Sequence, residues 1–206
     1  MSIPRFAFAL LAAAVLLQPA SAFAQQVGVK AGINFASLPP EEDEHPDIPP
    51  RLGPIGGVWV QLASGGRFTF QAEGLYSEKG VHWNFSPDVK IEIRIRYVEF
   101  PLLARTSFGG AAAKTRVFVV GGLAPAFKLS VRANGEFFGR ESTRDAREDI
   151  EPFDLGLLGG VGVEFGRAQL EARYTHGLLG INTDDNEPND RLNNRVFSLT
   201  IGFRIR

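Results

Sequence analysis

The sequence predicts an all-β fold: an eight-stranded antiparallel up-and-down transmembrane β-barrel with short periplasmic turns and long extracellular loops. Three observations support it. The chain begins like an exported protein, its remaining residues alternate between apolar and polar over eight segments, and no later stretch is apolar enough for a spanning helix. Because lipid cannot satisfy open backbone groups, a mature chain that crosses a membrane without such helices requires a closed barrel.

The first residues have the three parts of a secretory signal peptide. Residues 1–5 carry one positive charge, residues 6–17 are an unbroken apolar run, and residues 22–24 supply the small-x-small pattern of a cleavage site. A membrane anchor is the alternative, but this run is shorter than the roughly 20 apolar residues that a spanning helix needs. We therefore expect residues 1–24 to be a cleaved signal peptide and residues 25–206 to form one outer-membrane β-barrel domain.

Composition limits the classes of fold and partner. The chain has no cysteine, which excludes a disulfide-stapled secreted scaffold. Its formal net charge is -1, so no global field favours nucleic acid, and no nucleic-acid partner is expected. Glycine occurs 23 times and phenylalanine 17 times against one methionine, which is typical of a β-protein.

Eight segments alternate with a period of two residues, which predicts strands with one apolar face. They are residues 27–35, 55–62, 67–77, a segment that begins at Ile91, and residues 117–128, 153–165, 168–178 and 195–206. The segment at residues 117–128 is apolar on both faces and has the weakest pattern of the eight.

The fourth segment is predicted to turn its isoleucines toward lipid. Its apolar face consists of Ile91, Ile93, Ile95 and Tyr97, and its polar face of Glu92, Arg94 and Arg96. After Tyr97 the pattern slips by one residue, and a β-bulge near Pro101 would explain the slip.

The predicted connections alternate in length. Residues 63–66 and 166–167 are short turns, and residues 106–115 form a moderate connection. The long polar connections are residues 36–54, 78–90, 129–152 and 179–194. Short turns at one end and long loops at the other are the layout of an outer-membrane barrel, and an even strand count puts both termini in the periplasm.

A soluble barrel also alternates, with its apolar face inward, so the pattern alone leaves a periplasmic lipocalin-like carrier open. Aromatic residues near the strand ends favour interfacial girdles in a membrane; they are Phe35, Phe68, Tyr76, Tyr97, Phe153, Phe165, Tyr174 and Phe203. The opposite face mixes glycine with charges, and these are Lys30, Glu73, Glu92, Arg94, Arg96, Glu164, Glu171, Arg173 and Arg204. We expect these charges to pair inside a closed lumen rather than to line an open pore.

Several short motifs occur in order along the mature chain. They are GVKAGIN at residues 28–34, EGLYSEKG at 73–80, YVEFPLL at 97–103, GGLAP at 121–125, FDLG at 153–156 and GGVG at 159–162. Together they resemble the PorT-like outer-membrane β-barrel family, a group of small proteins of the Bacteroidota type. The resemblance implies a Gram-negative outer membrane location and, through the family's namesake, a secretion or assembly complex as one possible setting.

No catalytic, cofactor-binding or metal-binding residue is predicted. The acidic residues 41–47 lie among prolines, and residues 184–190 lack the ligand order of a calcium loop. The charged run at residues 140–149 could meet lipopolysaccharide phosphates or serve only as a solvated loop. The three histidines, His45, His82 and His176, are too far apart in sequence to propose a triad.

We therefore expect a non-enzymatic outer-membrane protein without cofactors, which serves envelope structure or surface interaction through its extracellular loops. The alternatives are a component of a secretion or assembly complex, a membrane-embedded lipid enzyme and a soluble periplasmic carrier. Expected partners are outer-membrane lipid and lipopolysaccharide, the barrel insertion machinery and an envelope protein.

Overall fold

The computed structural model describes residues 24–37, 50–62, 68–86, 89–109, 114–137, 140–145, 151–179 and 194–206. Among these residues the strands are β1 Ala24–Ser37, β2 Arg51–Leu62, β3 Phe68–Ser86, β4 Val89–Glu99, β5 Leu102–Phe108, β6 Thr115–Phe137, β7 Arg140–Asp145, β8 Phe153–Phe165, β9 Ala168–Gly177 and β10 Arg195–Arg204. The same residues contain no helix that is long and apolar enough to cross a membrane. Residues 1–23 lie outside the described part, so the signal peptide stays a prediction.

The sheet closes into a barrel with eight strand positions. All pairings are antiparallel, and β1 closes the barrel by pairing with β10 from Gly28–Arg204 to Ser37–Arg195. β4 and β5 share one position between β3 and β6, and the strand is interrupted at Phe100 and Pro101. β7 and β8 likewise pair with successive parts of β6. The predicted eight-stranded antiparallel barrel is confirmed.

The two ends of the barrel differ. At one end, here called the turn end, Gly166 and Arg167 join β8 to β9, and Gly166 adopts a φ of 62°, which glycine tolerates without strain. The chain terminus lies at the same end, because the Val27 amide donates to the Arg206 carbonyl at 2.8 Å. The start of β1 and the end of β10 are therefore neighbours, as the even strand count predicts.

At the opposite end, here called the hairpin end, two predicted loops are β-structure. β3 runs to Ser86 and β4 begins at Val89, so the predicted loop at residues 78–90 is wrong. β6 runs to Phe137 and pairs with β7, which replaces much of the predicted loop at residues 129–152. Polar composition hid these hairpins, because a strand outside lipid needs no continuous apolar face. The other two predicted loops lie mostly outside the described residues.

Apolar side chains face outward around the barrel wall. Exposed examples from seven strands are Val29, Ile33, Val58, Phe70, Leu123, Leu157, Val161, Leu170, Leu199 and Ile201. Polar side chains on the opposite face are buried, including Lys30, Asn34, Gln71, Glu73, Arg105, Glu171, Arg173, Ser198 and Thr200. A lipocalin-like carrier would have the reverse arrangement, so that alternative is wrong, and the expected orientation toward lipid is confirmed.

Aromatic rings gather at both ends of this apolar belt. At the hairpin end the ring centroids of Phe127 lie 5.3 Å from Phe153 and 6.2 Å from Phe100. At the same end, Phe35 lies 6.1 Å from Phe197. At the turn end the exposed rings are Phe68, Phe108, Phe165 and Phe203. These two girdles match the aromatic belts expected at the membrane interfaces.

β4 reverses the predicted polarity. Ile95 and Tyr97 are fully buried inside, whereas the side chains of Arg94 and Arg96 face outward and are 34% and 27% exposed. The buried phase continues without a slip through Glu99, Pro101, Leu103 and Arg105. The predicted placement of Ile95 and Tyr97 on lipid is therefore wrong. Beyond the aromatic girdle the outward face of β4 meets a polar environment. The polarity of a side chain there no longer tells whether it points outward or into the lumen.

The bulge predicted near Pro101 is an interruption between β4 and β5 instead. The register shift of this wall lies between Arg96 and Tyr97, and the extra residue belongs to β6, where Arg96 faces Ser130 and Tyr97 faces Lys128. The sequence predicted an irregularity in this strand pair but assigned it to the wrong strand.

Large aromatic side chains fill the lumen where glycine gives them room. A Cβ on Gly28 would lie 2.3 Å from the Trp59 ring, and a Cβ on Gly162 would lie 2.2 Å from the Phe118 ring. Trp59 and Phe118 are 2% and 0% exposed. Phe118 packs with Leu103, Val120, Ala124 and Leu158 in an apolar cluster on one side of the lumen.

We expect Gly162→Ala to lower the free energy of unfolding by about 1–3 kcal/mol, the usual cost of overpacking. The added methyl group would also lie 2.6 Å from the Leu170 carbonyl oxygen, so the backbone must move. Gly159→Ala, on the lipid-facing side of the same strand, is the matched control, because nothing lies within 4 Å of its Cβ. Urea unfolding in phospholipid vesicles measures both; equal losses would contradict this packing.

Because the chain has no cysteine, single-cysteine variants can test the polarity of β4 directly. The side chain of Arg96 is 27% exposed on the outer wall and Ile95 is fully buried. A water-soluble maleimide is expected to label Arg96→Cys rapidly in vesicles and Ile95→Cys only after unfolding in urea. Equal labelling rates in the folded protein would restore the lipid-facing assignment of Ile95.

Candidate functional site

Four charged side chains meet at the centre of the lumen and form what we call the central network. Lys30 Nζ lies 2.9 Å from Glu73 Oε1 and 3.0 Å from Glu171 Oε2. Both terminal nitrogens of Arg173 donate to the Glu73 carboxylate at 2.6 Å, and its Nε donates to Glu171. The side chains are at most 2% exposed, and two positive charges balance two negative ones.

The central network spans the barrel. Lys30 comes from β1, Glu73 from β3, and the other two side chains from β9, which lies four strand positions from β3. Gln71 extends the network by donating to Glu73 at 2.5 Å, and Gln61 donates to Gln71 at 3.0 Å. An eight-stranded barrel is just wide enough for side chains to fill it. The network therefore closes the lumen at its middle.

A neutral layer lies next to the network toward the hairpin end. Asn34 donates to the Ser77 hydroxyl at 2.9 Å, and Ser198 donates to Asn34 at 2.7 Å. These hydrogen bonds join β1, β3 and β10 across the lumen, and all three side chains are buried. Polar contacts therefore continue above the central network.

A second group of charges, the Lys79 cluster, occupies the lumen still nearer the hairpin end. Lys79 Nζ lies 2.8 Å from Glu99 Oε1 and 3.8 Å from Asp154 Oδ2. Asn194 donates to Asp154 at 2.6 Å, and the Tyr97 ring centroid lies 5.0 Å from Lys79 Nζ. All five side chains are buried. The charged groups therefore contact each other and not bulk solvent.

The lumen opens at the turn end into a pocket of about 460 Å³. Arg105, Arg116 and Glu164 line it, and Arg105 Nη2 lies 2.7 Å from Glu164 Oε2. The Arg105 guanidinium also stacks 3.6 Å above the Phe118 ring and donates to Gln169. The pocket therefore ends against a paired arginine and does not continue through the barrel.

A third group, the outer charge cluster, lies outside the lumen on the wall at the hairpin end. It consists of Arg51, Glu78, Glu92, Arg94 and Arg96. Arg51 bonds Glu78 at 2.7 Å and Glu92 at 3.0 Å. Its side chain crosses over Gly80, whose φ of 146° and missing Cβ leave the space.

The structure sorts the charges predicted for the lumen into two sets. Lys30, Glu73, Glu164, Glu171 and Arg173 are buried inside as expected. The predicted inward placement of Glu92, Arg94 and Arg96 is wrong, since they belong to the outer charge cluster. Arg204 lies half-buried at the turn end and donates to the Gly166 carbonyl.

The other sequence candidates are not brought together. Residues 41–47 and 184–190 lie outside the described part, as does His45. Residues 140–145 of the charged run form β7. His82 lies on β3 and His176 on β9, at opposite sides of the barrel. Among the described residues, no group of three side chains is suited to hold a metal ion.

Sequence reasoning missed several interior charges because it stopped the period of two at predicted loop and bulge positions. Lys79 was assigned to a loop, and Glu99 and Arg105 fell at or beyond the predicted slip. Alternation without a slip puts Tyr97, Glu99 and Arg105 on one face, and the charges of Glu99 and Arg105 would have assigned that whole face, Tyr97 included, to the lumen. Arg51 was also assigned to a loop, and no sequence signal identifies its partners.

A family model described as "Outer membrane protein beta-barrel domain" matches residues 23–182, more than three quarters of the chain. The protein belongs to this outer-membrane β-barrel family. Membership places it in the bacterial outer membrane. Barrels of this membrane keep their short turns in the periplasm, so we expect the turn end there and the hairpin end outside. The narrower PorT-like assignment is not distinguished by this match.

Solved outer-membrane barrels have similar folds at low identity. Neisserial surface protein A has 13% identity and a TM-score of 0.45, with 86% of this chain and 96% of that one covered. The outer membrane enzyme PagL has 14% identity and a TM-score of 0.48, with 85% and 98% covered. OprG from Pseudomonas aeruginosa has 12% identity and a TM-score of 0.48, with 89% and 97% covered. No curated protein sequence matches significantly.

We expect Arg173→Met to lower the free energy of unfolding of this family member by about 3–5 kcal/mol, because two buried carboxylates would then face one ammonium. Adding Glu73→Gln leaves the direct Lys30–Glu171 pair, so the double variant should be more stable than Arg173→Met by about 1–3 kcal/mol. Urea unfolding in vesicles measures the cycle.

The control for this cycle is Arg116→Met at the turn end. Arg116 is 31% exposed and lies 3.5 Å from Glu164, so its loss should cost less than about 1 kcal/mol. Additive losses at Glu73 and Arg173 would show that the central network is not coupled as its geometry requires.

Proposed function

We propose that this protein is a closed, non-enzymatic outer-membrane barrel that serves envelope structure or surface interaction through the β-hairpins at its extracellular end. The observation that carries the proposal is the central network, in which every charged group is buried and bound by another. Paired side chains that fill a lumen of this width leave no continuous aqueous path.

The hairpin end supports a role in surface interaction. Beyond the girdle residue Val98, β4 continues for nine residues and pairs with β3 on one side and β6 on the other. β7 adds a further strand to β6. The wall facing outside the cell is thus extended by ordered sheet, which presents side chains in a fixed register. We also infer insertion by the barrel assembly machinery, as for other barrels of this membrane.

A component of a PorT-like secretion or assembly complex is the second candidate. The turn-end pocket favours it, because a periplasmic partner could reach Arg116 there. The motifs shared with the PorT-like family, however, have a packing role in the barrel. Lys79, Glu99 and Asp154 come from three separate motifs and meet in the Lys79 cluster. Because the shared motifs supply side chains that pack in the lumen, they support the barrel fold and are not evidence for a role in secretion.

Planar bilayers test the closed lumen. We expect the purified protein to give no steady ohmic openings, because the central network fills the barrel. Heat-modifiable gel mobility of the same preparation shows that the barrel is folded. Steady openings of the unmodified protein would contradict the proposal.

A companion variant separates the surface role from the barrel. Replacing residues 81–92 by a two-residue turn removes the end of the β3–β4 hairpin and leaves the lumen charges in place. We expect this protein to remain folded and non-conducting but not to restore the detergent resistance of a strain that lacks the gene. Full restoration would place the role in the barrel wall or the periplasmic end.

A further inference from the structure

We propose that the turn end of the barrel binds an acidic peptide segment of a periplasmic protein, with one carboxylate of that segment held in the pocket beside Arg116. The site lies at the end of the molecule opposite the proposed surface role and does not depend on that role. Three features support it: the excess of basic residues at this end, the direction in which two arginines face, and the lining of the pocket.

Basic residues are concentrated at the turn end. Its segments are residues 24–28, 59–70, 105–118, 162–170 and 202–206, and they contain one acidic side chain, Glu164, against seven basic ones. These are Arg67, Arg105, Lys114, Arg116, Arg167, Arg204 and Arg206. The side chains therefore carry a formal charge of +6, and the carboxylate of Arg206 lowers it to +5, whereas the whole chain has a formal charge of -1.

No undescribed residue at this end can neutralise the excess. Residues 1–23, 63–67 and 110–113 lie outside the described part, and their sequence contains no aspartate or glutamate. The other undescribed residues belong to connections at the hairpin end. The turn end therefore has a true excess of positive charge, which attracts anionic partners.

Two of the arginines face the interior of the barrel mouth. Arg116 precedes the buried Phe118 by two residues, and Arg204 follows the buried Gly202 by two. Both arginines therefore lie on the lumen face of their strands. Arg204 donates to the Gln26 side chain at 3.2 Å, and Gln26 lines the pocket together with Arg116. Lipid headgroups surround the outside of the wall, so a ligand for these arginines must enter from the aqueous side.

The pocket has fewer carboxylates than guanidinium groups. Glu164 Oε2 lies 2.7 Å from Arg105 Nη2 and 3.5 Å from Arg116 Nη2, so one carboxylate serves two arginines. Within the described residues, the Arg204 side chain donates to neutral oxygens, those of an amide and a backbone carbonyl. The Arg116 side chain is 31% exposed, which leaves its N–H donors accessible from water. Because a guanidinium binds a carboxylate through two parallel hydrogen bonds, a ligand carboxylate suits this position.

The size and lining of the pocket fit a peptide. Its volume of about 460 Å³ lies in the range of small-ligand sites. Amide and hydroxyl side chains line it beside Arg116, and they are Gln26, Gln61, Thr106 and Ser107. Such groups both donate and accept hydrogen bonds, as the amides of a peptide backbone require. The pocket therefore offers partners to a carboxylate and to the chain that carries it.

The basic residues outside the pocket favour a ligand with several carboxylates. Lys114, Arg167 and Arg206 are exposed at the turn end and are not part of the pocket lining. A single small anion in the pocket would not reach them. Side chains on one face of an extended peptide are about 6.6 Å apart, so a run of acidic residues reaches the pocket and these cations together. An acidic segment therefore fits better than free phosphate or an isolated carboxylate.

The test uses the full-length mature protein in nanodiscs of phosphatidylcholine, which leave both ends of the barrel accessible. Fluorescein-labelled hexaglutamate is the probe, hexaglutamine is its uncharged counterpart, and fluorescence anisotropy measures binding. We expect hexaglutamate to bind at least about tenfold more tightly at low ionic strength, and Arg116→Gln with Arg204→Gln to lose most of this preference. Arg94→Gln with Arg96→Gln makes the same charge change at the hairpin end and is expected to bind normally.

A single variant keeps the test independent of the folding of the double variant. Arg116→Gln alone, at a partly exposed position, is expected to weaken hexaglutamate binding by about threefold or more. Heat-modifiable gel mobility confirms that each variant is folded.

Three results would overturn the proposal: equal binding of the two peptides, equal losses in the turn-end and hairpin-end double variants, or full displacement of hexaglutamate by purified cell-wall sacculi or millimolar inorganic phosphate. Displacement would show that the site takes the cell wall or a free anion rather than a protein segment. Failure of this test leaves the proposed function intact, because bilayer recordings and the shortened β3–β4 hairpin measure the closed lumen and the surface role separately.

Discussion

The whole structure depends on the fact that hydrocarbon accepts no unpaired backbone or charged group. Closing β1 onto β10 satisfies the backbone, and the same closure forces one face of every strand into a lumen too narrow for bulk water. Charges placed there must find partners within a few ångströms. The pairing of Lys30 and Arg173 with Glu73 and Glu171 is the direct result, and it decides that the barrel is filled.

Most of the barrel could be predicted from the sequence, because within the hydrocarbon the apolar residues of an alternating strand must face lipid and the polar residues must face the lumen. The strand at residues 153–165 was predicted with its correct bounds, and all its faces agree with the structure. The lumen positions of Lys30, Glu73, Glu171 and Arg173 followed from the same rule. The contacts between these four side chains could not be predicted, since distances across the lumen depend on the order and stagger of the strands.

The prediction failed where the environment changes along a strand. Ile95 and Tyr97 are apolar enough to suit lipid, yet they lie inside, because at their height the outer surface is polar. Glycines were visible in the sequence as small residues, but their matching to Trp59 and Phe118 needs the register of neighbouring strands. The outer charge cluster likewise joins Arg51 to β3 and β4, residues that no local pattern connects.

The charged hairpin of β3 and β4 constrains the order of assembly. Its arginines and glutamates must pass from the periplasm to the cell exterior, and the finished barrel offers them no route, since its interior is occupied from wall to wall. Translocation of this tip must therefore precede the zipping of the first strand to the last. Reopening the seam in the membrane then carries a high free-energy cost, because it would expose backbone to hydrocarbon and move the charges of the tip back through it.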